Sequence, residues 1–212
     1  MTGLSGSASG RRATLAVIVV SYKVRDLLRA CLRAAYASLA ASPELDATVW
    51  VVDHASGDGS AEMVASEFPQ ARLIARRDNL GFAGGNNLAL AALGFDGAAH
   101  EPGPSRAGAQ GPDLVLLLNP DAEPVGDAIG QMARFLLEHP KAGGAGAQLQ
   151  YPDGRFQHSA FAFPSLLQLW FDLFPPRPAR LLDSRLNGRY PRSLYEAGTP
   201  FPIDFALGAA LM

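Results

Sequence analysis

The hydrophobic run from Leu114 to Leu118 stops at Asn119-Pro120, and Asp121 and Glu123 follow with one residue between them. Two carboxylates at that spacing, with the Asn119 amide two residues before, are hard oxygen donors of the kind that hold Mg²⁺ or Mn²⁺. The run itself reads as a buried strand of a parallel sheet. In an open α/β sheet, ligands bind in the crevice beyond the carboxyl ends of the strands. The acids therefore stand where chemistry is usually done. A helix-capping acidic turn is the competing reading of the same residues.

Asp53 has a comparable position. Thr48 to Val52 (TVWVV) reads as a strand that leads straight into Asp53-His54-Ala55-Ser56-Gly57-Asp58-Gly59-Ser60. A carboxylate just past a strand end can accept a hydrogen bond from the imide N–H of a pyrimidine base or from a ribose hydroxyl. Asp53 and Asp58 can equally do no more than shape a turn. A third cluster, Arg76-Arg77-Asp78-Asn79-Leu80-Gly81-Phe82-Ala83-Gly84-Gly85-Asn86-Asn87, lies where a strand hands over to a helix expected over Leu88 to Leu93. Glycine lets backbone approach a ligand closely, and a helix N-terminus offers free N–H groups to an anion. Neither a G-x-G-x-x-G fingerprint nor a G-x-x-x-x-G-K-[ST] loop occurs, which disfavours a dinucleotide site and a P-loop.

The elements that must position these residues alternate. Leu15 to Val20 (LAVIVV) is a β-branched run ended by Ser21-Tyr22-Lys23. Val24 to Ser42 places Leu28, Cys31, Leu32, Ala35 and Leu39 at helical spacing, with Arg25, Arg29 and Arg33 opposite and Pro43 closing the helix. Cys31 belongs to that apolar stripe and reads as core. Ser60 is expected to cap a helix holding Val64 and Phe68 inward, before a short strand from Leu73 to Ala75. Strand and helix in alternation imply an α/β fold: a mostly parallel central sheet with helices on both faces. Residues 94–112, rich in Gly, Ala and Pro, read as a surface loop without an assigned role.

Composition narrows the class. The 212 residues are 48% hydrophobic, enough for one sizeable domain, and a net charge of −2 gives no global field for nucleic acid. A single cysteine excludes an internal disulfide and a cysteine-built metal cage. No apolar run reaches membrane-spanning length, and residues 1–12 lack a signal peptide's apolar core and read as a flexible lead-in. The expectation is a cytoplasmic protein, with contact at the inner membrane face left open.

VIVVSY, VVDHASGDGS, NLGFAGGNN and LLLNPDAEP, in this order, resemble the family 2 inverting glycosyltransferases. They are most similar to the bacterial rhamnosyltransferase-like members that build cell-surface polysaccharides. The resemblance runs from about Leu15 to Met212. It implies a GT-A nucleotide-diphospho-sugar transferase fold over residues 13–212, with a nucleotide-binding half (13–124) and an incomplete acceptor-side half (125–212). It also implies a UDP- or dTDP-linked sugar as donor, a saccharide or lipid-linked acceptor, and Mg²⁺ or Mn²⁺. Carried over, Asp53 contacts the base, Ser21 and Tyr22 lie beside the nucleotide, and Asn79 and Gly81 wall the ribose and phosphates with Asn86 close by. Asp121 takes the place of the last acid of the D-x-D motif and binds the metal. Asn119 stands where that motif often begins with Asp, and Glu123 is a weaker candidate. His54, Gly57 and Lys23 depart from the residues more often found there.

Asp127 to Pro140 reads as a helix with Ile129, Met132, Leu136 and Leu137 inward, and Gly144 to His158 as a hairpin turning at Pro152-Asp153-Gly154. Pro164 to Phe174 (PSLLQLWFDLF) reads as a core or interface helix. The alternative is a surface element facing a lipid-linked acceptor, helped by Arg177, Arg180, Arg185, Arg189 and Arg192. His158 reads as structural. Pro202 to Met212 resembles the segment along the family's acceptor site, with Asp204 the acceptor-side acid. The family's catalytic base falls after this segment, so it is expected beyond Met212 and no base is assigned. Two rivals remain: a sugar-nucleotidyltransferase, whose Gly-rich basic loop is missing after the first strand, and a non-catalytic nucleotide-sugar-binding module.

Overall fold

The computed structural model describes residues 11–95, 111–175, 177, 181 and 184–212. Most of the loop expected over residues 94–112, the lead-in up to residue 10 and Arg180 lie outside the described residues. The chain forms two compact units. The first runs to Leu116 and takes in Pro120–Gly130; the second comprises Leu117–Asn119 and Gln131–Met212.

In the first unit, strands β1 (Ala13–Ser21), β2 (Leu45–His54), β3 (Arg72–Arg76) and β4 (Leu114–Leu118, shared with the second unit) lie in the order β3-β2-β1-β4. β1 and β2 pair in parallel from Ala13↔Leu45 to Ser21↔Asp53, and β2 pairs in parallel with β3 from Trp50↔Arg72 to His54↔Arg76. β4 starts at the same edge as β1: Thr14 N–H donates to the Asp113 carboxylate (2.8 Å) and Asp113 N–H to Thr14 Oγ1 (2.9 Å). The Thr14 N–H, then its hydroxyl, hold the Asp113 carboxyl below the usual carboxylate range. The chain leaves β1 toward β2 on one side and reaches β4 on the other.

β1 is buried without a break from Leu15 to Ser21, as a strand covered on both faces must be. Helix α1 (Arg25–Ala40) turns Leu28, Cys31, Leu32 and Ala35 into the core, each buried aliphatic side chain contributing about 1.5–3 kcal/mol. α1 ends at Ala40, short of the expected Ser42, because Ser38 and Ser42 have other partners. The Ser38 hydroxyl accepts from Ile129 N–H (3.1 Å), and the Ser42 hydroxyl donates to the Asp127 carboxylate. Helix α2 (Ser60–Glu67) buries Met63 and Val64, with Phe68 just beyond its end. Ser60 is not its cap: Gly59 holds that position, and Ser60 donates through N–H (3.0 Å) and hydroxyl (2.6 Å) to Asp58.

Two elements differ more from expectation. β2 continues through Asp53 and His54, so Asp53 is a strand residue. Helix α3 is Gly81–Ala92, not Leu88–Leu93, so the glycines and asparagines form its first two turns. Helix α4 (Ala128–Glu138) begins in the first unit and continues in the second; Ile129 and Ala133 are buried, whereas Leu137 is exposed.

In the second unit, Leu117 and Leu118 pair antiparallel with β9 (Ala210–Leu211). The other edge of β9 meets residues 145–147, through Ala145 N–H to Met212 O (2.8 Å) and Ala147 N–H to Ala210 O (3.1 Å). The expected hairpin shrinks to β5 (Leu149–Gln150) and β6 (Phe156–Gln157), because residues 145–147 serve β9 instead. β7 (Ala160–Phe161) pairs antiparallel with β8 (Phe205–Ala206). Helix α5 (Leu166–Leu173) is capped by Ser165, whose hydroxyl accepts from Gln168 N–H (3.2 Å). It is not a core helix: Phe171 is buried, but Leu166, Leu169, Trp170 and Leu173 face solvent. A 3-10 turn (Arg185–Asn187) and a short helix α6 (Arg192–Glu196) follow. Among the described residues, no helix is long and apolar enough to cross a membrane.

Candidate functional site

Asp53 sits at the end of β2, buried, with its carboxylate oriented by its own turn. Ser56 donates its hydroxyl to Oδ1 (2.5 Å) and its N–H to Oδ2 (3.2 Å). The same hydroxyl accepts from Lys23 N–H (3.0 Å), and Asp58 Oδ2 accepts from Arg25 N–H (3.1 Å). The turns after β1 and β2 are thus tied together. Both readings of Asp53 coexist: it shapes the turn, and each oxygen keeps a further lone pair for a ligand. It lines a cavity of about 350 Å³ with Ser56, Gly57, Gly59, Glu62 and Arg76. That volume suits part of a small ligand such as a base with its ribose. Ser56 and Arg76 stand in stretches that the sequence singles out, but no role attaches to either there, although the D-x-x-S spacing is a turn signal.

Ser21, at the end of β1 and paired with Asp53 in register, is fully buried, and its hydroxyl has no partner among the described residues. Tyr22 is 45% exposed, with the Lys23 ammonium 5.1 Å from its ring centroid. Lys23 and Ala55 both have positive φ (56° and 53°), which is costly for residues with a β-carbon.

The Asn79–Gly81 segment is held from two sides. Asn79 Oδ1 accepts from Gly81 N–H (2.8 Å), and His54 Nδ1 accepts from Leu80 N–H (3.2 Å). The same Nδ1 lies 3.4 Å from Asp78 O. His54 is 1% exposed and its Nε2 has no partner among the described residues. Gly85 lies against it: a β-carbon there would come within 2.4 Å of His54 Nε2 and 2.7 Å of Val20 Cγ1. Only glycine lets α3 approach β1 and β2 this closely. Asn86 is buried, donates Nδ2–H to Phe82 O (2.9 Å), and leaves Oδ1 unpaired among the described residues.

Asp121 and Glu123 follow β4, are exposed, and have no hydrogen-bond or ion-pair partner among the described residues. Burial first, then the negative charge of these two acids, pushes the Cys31 thiol up to about 12. Cys31 is therefore a protonated core residue. Among the described residues, no group of three or more His, Cys, Asp or Glu side chains could hold a metal. Two carboxylates do fit a Mg²⁺-like ion whose remaining positions are filled by substrate phosphates and water. In the second unit, Asn119 N–H donates to Ala209 O (2.9 Å). Asp204 is exposed, accepts weakly from Phe163 N–H (3.4 Å), and donates its own N–H to the Tyr190 hydroxyl (3.2 Å).

Residues 16–167 match the family model for glycosyl transferase family 2. An N-acetylglucosaminyl-diphospho-decaprenol L-rhamnosyltransferase of Mycobacterium tuberculosis is 30% identical over 155 residues, which cover 73% of this chain and 47% of that protein. The chain spans about half the length of the curated relatives it matches. Among solved structures, a mannosyltransferase from Pyrobaculum calidifontis in complex with GDP-Man and Mn²⁺ superposes with a TM-score of 0.50 at 25% identity, covering 68% of this chain and 37% of that one. Mannosyl-3-phosphoglycerate synthase from Rubrobacter xylanophilus, at 21% identity, has the same fold, with a TM-score of 0.50 over 84% of this chain and 52% of that one. The fold is the α/β GT-A glycosyltransferase fold, and the chain belongs to glycosyl transferase family 2.

Proposed function

We propose that this chain carries the donor site of a metal-dependent, inverting glycosyltransferase that moves a sugar, rhamnose by kinship, from a UDP- or dTDP-linked donor to a saccharide or lipid-linked acceptor in cell-surface polysaccharide synthesis. The observation that carries the reading is the buried Asp53 carboxylate, oriented by Ser56 on the wall of a cavity of about 350 Å³ at the sheet's carboxyl edge. Asp53 accepts the imide N–H of the pyrimidine. Exposed Tyr22 lies beside the base, and the α3 N-terminus at Asn79–Gly81 walls the ribose and phosphates, with Ser21 and Asn86 alongside. Asp121, helped by Glu123, holds the Mg²⁺ or Mn²⁺, with Asn119 next to it in sequence. Bound there, the cation would neutralise charge building on the leaving diphosphate. The acceptor hydroxyl displaces the diphosphate at the anomeric carbon in one step, with inversion and no covalent intermediate. Asp204 serves the acceptor. The rhamnosyltransferase relative supports a lipid-linked acceptor; with such an acceptor the protein would work at the inner face of the membrane, with α5 as the contacting element.

The test is calorimetric titration with UDP, dTDP and GDP. One of the pyrimidine diphosphates should bind, and Asp53→Ala should weaken it by about 10- to 150-fold, the loss of one charge-assisted hydrogen bond of about 1.5–3 kcal/mol. Equal affinity in Asp53→Ala, or no binding of either pyrimidine nucleotide, would refute the assignment.

A further inference from the structure

Asp53 and His54 are the last two residues of β2, and consecutive strand residues turn their side chains to opposite faces. Asp53 faces the cavity it shares with Arg76. His54 goes the other way, into the packing between β2 and α3, where it is 1% exposed. Its ring is clamped there: a β-carbon on Gly85 would meet Nε2 at 2.4 Å and Val20 Cγ1 at 2.7 Å. An imidazole held in this way cannot swing, so whatever Nδ1 bonds is fixed relative to β2. Nδ1 bonds the turn that leads into α3. It takes the Leu80 N–H at 3.2 Å and lies 3.4 Å from Asp78 O. Without a proton Nδ1 accepts from Leu80; with one it donates to Asp78 O. The ring is tied to this turn in either form.

The rest of the turn depends on local bonds. Asn79 Oδ1 accepts from Gly81 N–H (2.8 Å), where the backbone takes a positive φ of 71°. Asp78 pairs with Arg76 (2.8 Å) in a solvent-exposed contact that holds little. Such bonds shape the turn but do not set where it stands against the sheet; the His54 bond does. An α-helix leaves its first N–H groups without intrahelical partners, and these can receive an anion. Their place at the start of α3 is thus set from β2, by the residue next to Asp53. We propose that His54 is a positioning residue for the diphosphate of the donor: it holds the Asp78–Gly81 turn, and so the α3 N-terminus, at a fixed offset from Asp53 without touching the nucleotide. One strand end then carries both grips, Asp53 for the base and His54, through the turn, for the phosphates. The inference rests on the donor site proposed above and adds to it a residue that the site does not include.

The test titrates the full chain with UDP, dTDP and the nucleosides uridine and thymidine, with Mn²⁺ present, and follows the Tm of each variant. His54→Leu removes the bonding nitrogen and should weaken the preferred diphosphate at least fivefold, while the matching nucleoside stays within twofold of the parent. His54→Asn places an amide group where Nδ1 stands and should bring the diphosphate back to within twofold of the parent, even with a lowered Tm. If His54→Leu does not fold, His54→Gln replaces it, since its longer amide reaches toward the place of Nε2 and leaves that of Nδ1 without a polar atom. Unchanged diphosphate affinity in the variant lacking the Nδ1 bond, an equal loss for nucleoside and diphosphate, or no recovery in His54→Asn would overturn the positioning role. A parent that binds none of the four refutes the donor site itself and this inference with it. A parent that binds, with His54→Leu equal to it, refutes this inference alone.

Discussion

Replacing Gly85 by alanine should destabilise the first unit, although alanine is the better helix former. The substitution removes a mid-helix glycine, worth about 1 kcal/mol in favour of the variant. Against that, the new methyl group would lie 2.4 Å from His54 Nε2, 2.7 Å from Val20 Cγ1 and 3.0 Å from Val20 Cγ2. These are backbone-anchored groups of two central strands, buried to 1% and 8% exposure, so neither can swing aside into solvent. Forcing a methyl into a packed core costs about 1–3 kcal/mol. If His54 rotates instead, its bond from Leu80 N–H is lost at about 1 kcal/mol. Set against the propensity gain, the net expectation is a loss of up to about 2 kcal/mol, a Tm lower by up to about 8 °C in a chain of this size. Urea denaturation followed by circular dichroism measures it. Combining the change with His54→Ala should recover part of the loss, since one of the two clashing groups is gone. A Gly85→Ala protein about 1 kcal/mol more stable than the parent, as helix propensity alone would have it, would refute the claim that α3 is docked through this contact.

Ser56→Ala should cost about 1.5–3 kcal/mol, because it takes a hydroxyl donor from buried Asp53 and an acceptor from Lys23 N–H; urea midpoints read the loss, and nucleotide affinity should fall with it. Cys31, buried and with its thiol pushed up to about 12, should resist alkylation at neutral pH in the native protein and react once the chain is unfolded in urea, as mass spectrometry would record. Lys23→Gly should raise stability by up to about 1 kcal/mol in the same denaturation assay, because the left-handed backbone at φ 56° carries the strain of a β-carbon.

The alternating elements and the acids Asp53 and Asp121 were legible because they rest on local chemistry: apolar runs such as TVWVV and LVLLL, and carboxylates at or just past their ends. The edges were less so. β2 starts at Leu45, through Asp46 and Ala47, because pairing with β1 runs in register from Ala13; Asp has no strand preference of its own to announce this. α3 starts at Gly81, through residues that are poor helix formers, because the docking of Gly85 on His54 and Val20 outweighs propensity. The apolar stripe of α5 looks the same in sequence whether it faces a core or an absent partner, and only burial distinguishes them. Of the arginines lining the cavity of about 710 Å³ in the second unit, Arg185, Arg189 and Arg192 were legible as charge, whereas Arg155, from the β5–β6 hairpin, was not.

The proposed donor site is one metal-coupled nucleoside diphosphate site built on the strand ends and turns of the first unit. Titrating UDP and dTDP with and without Mn²⁺, against the parent and Asp121→Ala, tests it most directly. Two exposed carboxylates cannot fill a divalent cation's coordination alone. Mn²⁺ should therefore bind weakly by itself, tighten one diphosphate at least tenfold, and lose that effect in Asp121→Ala. Binding that ignores Mn²⁺, or a metal effect that survives Asp121→Ala, would contradict it.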